Sequence, residues 1–170
     1  IAAEHAIPNL IIFSGNRRTD QSDYQGMVAC ARGIERSIGY AEERGITLNM
    51  ELLSSRHNHP GYLCDHTEWG VALCEMVRSP RMKLLYDIYH MQIMEGDIIY
   101  RIREIIHHIG HFHTAGNPGR NDMDDTQELN YRGICTAIGD CGYDGYLAHE
   151  FMPKGEPVEA LRKAFEQCAG

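Results

Sequence analysis

The chain has 170 residues, 43% of them apolar, and a formal net charge of −8. Such a composition supports a globular domain with a sizeable core. The acidic balance argues against a nucleic-acid surface, which needs clustered Lys and Arg, and no apolar run approaches the ~20 residues of a membrane span.

No signal peptide is visible, and Ile1 in place of an initiating Met leaves the true start open. The six cysteines, Cys30, Cys64, Cys74, Cys135, Cys141 and Cys168, form no CxxC pair. Neither a zinc ribbon nor a redox motif is expected. Most fall in helix-like patterns as small apolar residues, and a reducing cytoplasm is the simplest setting.

Residues Ile1 to Ala6 read as the tail of a helix, and the apolar run Asn9–Arg17 as a buried strand ending in a Gly-Asn turn. Asp20–Arg44 places Met27, Ala31, Ile34, Ile38 and Ala41 on one helical side, and Gly45 stops it. Ile46–Leu53 is the next strand, followed by a long loop, Ser54–His66. Thr67–Val77 is a helix, and its cap is Thr67 or Asp65. Met82–Asp87 is a strand, Asp97–His108 a helix and Ile109–Ala115 a strand. A Gly/Pro/Asp-rich loop runs over Gly116–Leu129. Tyr131–Asp140 is a helix, Gly145–Phe151 a strand and Pro157–Ala169 the last helix.

Strand and helix alternate five times in what reads as one α/β domain, residues 1–170, implying βαβ units and a parallel sheet. A closed (β/α)8 barrel needs eight strands and about 250 residues. Five units fit either a doubly wound open sheet or the C-terminal part of a barrel. The helix-tail character of Ile1–Ala6 favours the partial barrel. Such an open section would expose an apolar inner wall and two unpaired strand edges, so the chain alone is expected to be unstable.

Polar residues collect where the strands end: Asn16, Glu51, Asp87, His113 and Glu150. Taken singly, each reads equally well as a solvated loop-edge group. At successive strand ends, three carboxylates and an imidazole form a ligand set for Mn²⁺, Mg²⁺, Co²⁺ or Zn²⁺. His111 shares a face with His113, which is preferred because it lies nearer the loop end. His107 and His108 suit a helix dipole, and His57, His59 and His66 read as solvated loop residues. His90 opens a loop and, if functional, would donate to a substrate oxygen. Arg120 is an exposed turn residue or a fork-shaped donor to a carboxylate. Trp69 reads as core. The sequence holds no G-x-S-x-G, P-loop or H-E-x-x-H, and its Gly-rich "GNPGRND" lacks dinucleotide-binding spacing.

The segments "YDIYHMQIMEGD", "IGHFHTAGNPGR", "ELNY" and "GYDGYLAHEFMPKG" resemble the hydroxypyruvate isomerase family of xylose-isomerase-like TIM barrels. The resemblance runs from Asn9 to Gly155. It implies a partial (β/α)8 barrel holding strands 4–8, with the first three strands absent. It implies a divalent metal on Glu51, Asp87, His113 and Glu150, with Glu51 and Glu150 as an acid/base pair and His90 and Arg120 as substrate contacts. Asn16 is a further substrate-binding candidate. The implied reaction is hydroxypyruvate to tartronate semialdehyde through an enediolate. Ketose 3-epimerase or inosose dehydratase activity is the alternative, and a non-catalytic degenerate barrel fragment or a related endonuclease a different class. His113 stands where several hydroxypyruvate isomerases carry Gln, and "SSRHNHPGY" differs from their shorter loop. The implied partner is a small hydroxy-carbonyl compound, with no nucleic acid or membrane and with room for a homo-oligomer.

Overall fold

A computed structural model describes residues 1–169. With 3-10 turns at Ala3–His5 and Ile106–His108, the elements are β1 (Asn9–Ile12), α1 (Asp23–Glu43), β2 (Thr47–Glu51), α2 (Thr67–Val77) and β3 (Met82–Asp87). Then come α3 (Ile88–Met94), α4 (Ile98–Ile105), β4 (Ile109–Thr114), α5 (Tyr131–Asp140), β5 (Leu147–His149) and α6 (Pro157–Cys168). The five strands pair in chain order, every pair parallel, and form a half-barrel. No described helix is long and apolar enough to cross a membrane.

Side chains alternate across each strand, so register assigns the faces. Met50, Leu84, Tyr86 and Phe112 turn outward and join Met27, Ala31 and Ile34 of α1 and Leu73 of α2 in the buried core. The opposite, concave face carries Asn49 beside Lys83, Glu51 beside Leu85 and His111, and Asp87 beside His113. Over β2, β3 and β4 this inner wall is largely polar, where an apolar wall was expected of an open barrel section. At the β1 edge, exposed Ile11 pairs with Asn49 and so shares the concave face, and Leu10, Phe13 and, on α6, Val158, Leu161 and Phe165 are exposed as well. The two edge strands do lack an outer partner.

Local chemistry sets the boundaries. Ser22 and Gln25 form a reciprocal capping box, so α1 starts at Asp23 rather than Asp20. At its far end Gly45, at φ +68°, lets its own N–H reach Glu42 O while the Ile46 N–H reaches Ala41 O. β1 stops at Ile12 because the chain turns at Gly15, φ +73°. Residues 1–6 make only the Ala3–His5 turn, closed by Ala6 in the left-handed region.

The largest departure is α3, which the sequence reading left as loop. Asp87 ends β3 and also caps α3, its carboxylate accepting the His90 N–H at 3.0 Å. Ile88, Tyr89, His90 and Met91 are all buried, so this seven-residue helix shows no amphipathic stripe.

Register slips between Leu84 and Leu85, which face Ile109 and His111, leaving Gly110 as the extra residue. A Cβ on Gly110 would stand 2.2 Å from Asn49 Oδ1 and 2.9 Å from Lys83 Cβ. Replacing Gly110 with Ala is expected to lower stability by about 1–3 kcal/mol through overpacking, read as a lower denaturant midpoint with unchanged slope. A stability equal to the parent would show that the wall yields at this point.

Candidate active site

The open end of the sheet gathers the charged residues. Glu51 and Asp87 are the last residues of β2 and β3, and His113 is next to last in β4. Glu150 follows β5, its backbone N–H held by Thr114 O at 3.0 Å. One ligand atom from each of the four lies within 4.8 Å of every other. His113 Nδ1 stands 3.0 Å from Glu150 Oε2, 3.5 Å from Glu51 Oε1 and 4.0 Å from Asp87 Oδ2. Buried as it is, that nitrogen is aligned for a hydrogen bond with none of them. Three oxygens and one imidazole nitrogen aimed at a shared centre fit a divalent cation.

The electrostatics match. Burial pushes Asp87 up to about 6. Burial pulls His113 down, but Glu150, Glu51 and Asp87 outweigh it and raise the imidazole to about 9. His113, with help from Arg120, holds Glu150 down at about 2.

Arg120 comes from the loop between β4 and α5. It sits at φ +56°, its carbonyl accepts the Met152 N–H, and Gly116 N–H reaches Asn121 O. Arg120 Nη2 pairs with Glu150 Oε2 and stands 3.5 Å from Asp87 Oδ2. Its guanidinium lies 5.6 Å from the centre of the Tyr89 ring. Tyr131, buried in α5, brackets Ala115 by donating to its carbonyl and accepting its N–H. Asn117 Nδ2 donates to Tyr89 O, tying the same loop to α3.

His90 is fully buried beside the cluster, and burial with Arg120 and His59 lowers it to about 3. His59, read from sequence as solvated, instead packs edge-on against His90 at 5.2 Å. Its signal lay in the spacing of a loop too irregular to project. His111 lies one position below His113, ring to ring at 5.1 Å, and burial lowers it to about 4. His57 and His66 are exposed. His108 faces Glu75 at 3.4 Å, and Trp69 packs against the core.

Asn16 stands four residues beyond the end of β1. The turn at Gly15 sends it back to bridge Tyr62 in antiparallel fashion. It lines a cleft of about 500 Å³ between β1 and α1 with Ile12, Phe13 and Cys30.

A family model described as a xylose isomerase-like TIM barrel matches residues 1–168. The chain belongs to the xylose isomerase-like TIM barrel family. It is 31% identical over 150 residues to the 2-oxo-tetronate isomerase of Cupriavidus necator, covering 88% of this chain and 55% of that protein. It is 31% identical over 129 residues to the hydroxypyruvate isomerase of Escherichia coli, covering 74% and 50%. The chain thus spans about half the length of these relatives. A crystal structure described as an AP endonuclease of family 2 from Brucella melitensis superposes with a TM-score of 0.86 at 26% identity, covering 96% of this chain and 65% of that one. An L-ribulose 3-epimerase shares the fold at a TM-score of 0.77 and 20% identity, covering 99% and 55%.

Ligands of a cation must shed their protons. His113 keeps its proton up to about pH 9, and Asp87 takes one below about pH 6. Divalent-ion affinity is therefore expected to rise about tenfold per pH unit between those values and more steeply below them. Calorimetric titration with Mn²⁺ in buffers of different ionisation enthalpy should show about one proton released at pH 7. Affinity that does not change with pH would remove His113 from the ligand set.

Proposed function

We propose that this protein is a divalent-metal-dependent isomerase of a small hydroxy-carbonyl acid, with hydroxypyruvate as first candidate substrate and tartronate semialdehyde as product. The observation that carries this reading is the approach of two glutamates, one at the end of β2 and one just beyond β5, to one imidazole nitrogen: Glu51 at 3.5 Å and Glu150 at 3.0 Å. The relatives named for hydroxypyruvate and 2-oxo-tetronate isomerisation support the choice of reaction. We read the five strands as strands four to eight of an eight-stranded barrel, in one domain of a cytoplasmic enzyme.

Glu51, Asp87, His113 and Glu150 would hold the cation. When bound, it supplies Lewis acidity that polarises a carbonyl oxygen and makes the neighbouring C–H more acidic. Glu150, ionised across the neutral range, takes a proton from one carbon of the substrate, and Glu51 delivers one to its neighbour, or the reverse. The enediolate is the species between the two transfers. Arg120 presents a planar fork beside the cluster. Its Nη2 and Nε serve Glu150, and Nη1 is the arm assigned to the substrate carboxylate. Buried His90 forms the wall over the substrate and excludes water there.

Ketose 3-epimerisation is the second reading, favoured by His113 at the third ligand position and by the shared fold with the epimerase. An endonuclease fits less well with a net charge of −8.

Glu150→Gln and Asp87→Asn are each expected to cut Mn²⁺-dependent isomerisation of hydroxypyruvate by at least about a hundredfold, the scale of a lost general acid/base. Near-parental rates in either would remove that residue's role. Arg120→Lys keeps the charge but loses the fork, and is expected to raise KM for hydroxypyruvate about tenfold. Faster turnover of ketoses than of hydroxypyruvate in the parent would favour the epimerase reading.

A further inference from the structure

Ser54, three residues beyond β2, is completely buried. Its carbonyl accepts the His59 N–H at 2.9 Å. Its hydroxyl donates to Asn58 Oδ1 at 2.9 Å and stands 3.1 Å from His90 Nδ1. Asn58 Oδ1 also accepts from the Tyr89 hydroxyl at 3.3 Å. Both hydroxyls thus face the same amide oxygen of Asn58.

A serine hydroxyl has a single proton. With that proton committed to Asn58, Ser54 Oγ meets His90 as an acceptor, and the imidazole must carry its own proton on Nδ1. A neutral imidazole has only one such proton. Nε2 is then a bare lone pair. It is buried, has no hydrogen-bond partner among the described residues, and stands 3.8 Å from Asp87 Oδ2 on the side of the carboxylate cluster. The ring is clamped edge-on by His59 at 5.2 Å and Tyr89 at 5.1 Å.

We propose that Ser54, set by Asn58, is a positioning residue that locks His90 in the Nδ1-protonated tautomer, so that Nε2 accepts a hydrogen bond from a substrate hydroxyl. The sequence reading had the opposite polarity, with His90 as donor. The site then asks for a hydroxyl where a donor imidazole would have asked for a carbonyl, which suits the hydroxyl on the carbon next to the carbonyl in a hydroxy-carbonyl acid. This rests on the reading of His90 as a substrate contact.

The test uses the full-length protein, Mg²⁺-loaded, and reads the His90 tautomer by long-range ¹H–¹⁵N NMR beside steady-state kinetics. The parent should show the proton on Nδ1. Asn58 is exposed, so Asn58→Leu should leave the melting temperature unchanged. It frees the Ser54 proton, and Nε2–H should appear. kcat/KM should fall about five- to tenfold, the worth of one hydrogen bond. Ser54→Ala should do the same, and Asn58→Asp, which keeps an acceptor in place, should restore the Nδ1–H form. A parent proton on Nε2, or a tautomer indifferent to both Asn58→Leu and Ser54→Ala, overturns the assignment. His90→Gln separates the two ideas. Unchanged kinetics there would sink the substrate contact, while the NMR result still decides what Ser54 does.

Discussion

Three carboxylates brought within reach of one another repel, and burial makes that repulsion worse. The rest of this site follows from that constraint. Positive charge is supplied from two directions: by the His113 imidazole, held protonated well above its usual range, and by Arg120 reaching Glu150 and Asp87 from the loop beyond β4. The loop carrying Arg120 is pinned by Tyr131 at Ala115, by Asn117 at Tyr89 and by the backbone pair at Met152. Much of the order in that loop serves to hold one guanidinium beside carboxylates that would otherwise be unmatched.

The opposite wall is built with similar economy. Asp65, buried, takes both arms of the Arg17 guanidinium and the Ser55 hydroxyl, which ties the loop after β1 to the loop after β2. Glu95 reaches back to the Thr67 N–H and hydroxyl, capping α2 from the end of α3. Ser54 stands inside this frame and touches the loop, Asn58 and His90 at once. The polarity of His90 thus depends on a loop whose other contacts are all structural.

Proteins named as an isomerase, an epimerase and an AP endonuclease share this fold with the chain. Function must then be argued from the side chains at the strand ends rather than from the sheet. Here the set comprises two glutamates, an aspartate and a histidine, with an arginine fork and a buried imidazole close by. The four converging groups are a donor set that fits a divalent cation. The negative net charge leaves little to attract a phosphate backbone.

The alternation of apolar strands with amphipathic helices was readable from the chain because each strand buries one face and each helix one stripe. Glu51, Asp87, His113 and Glu150 were readable because each ends such a run. α3 was not, since a short helix buried on all sides has no stripe to show. The bridge from Asn16 to Tyr62 was not readable, because it follows a turn at a glycine of positive φ. The polar inner wall needed register, which a bulge at Gly110 shifts by one residue. Sequence by itself determined the order of elements and which charged residues end them, since these follow from local periodicity. Only the tertiary structure decided which charges meet, that His59 covers His90, and which nitrogen of that ring is bare, because these depend on contacts between residues far apart in the chain.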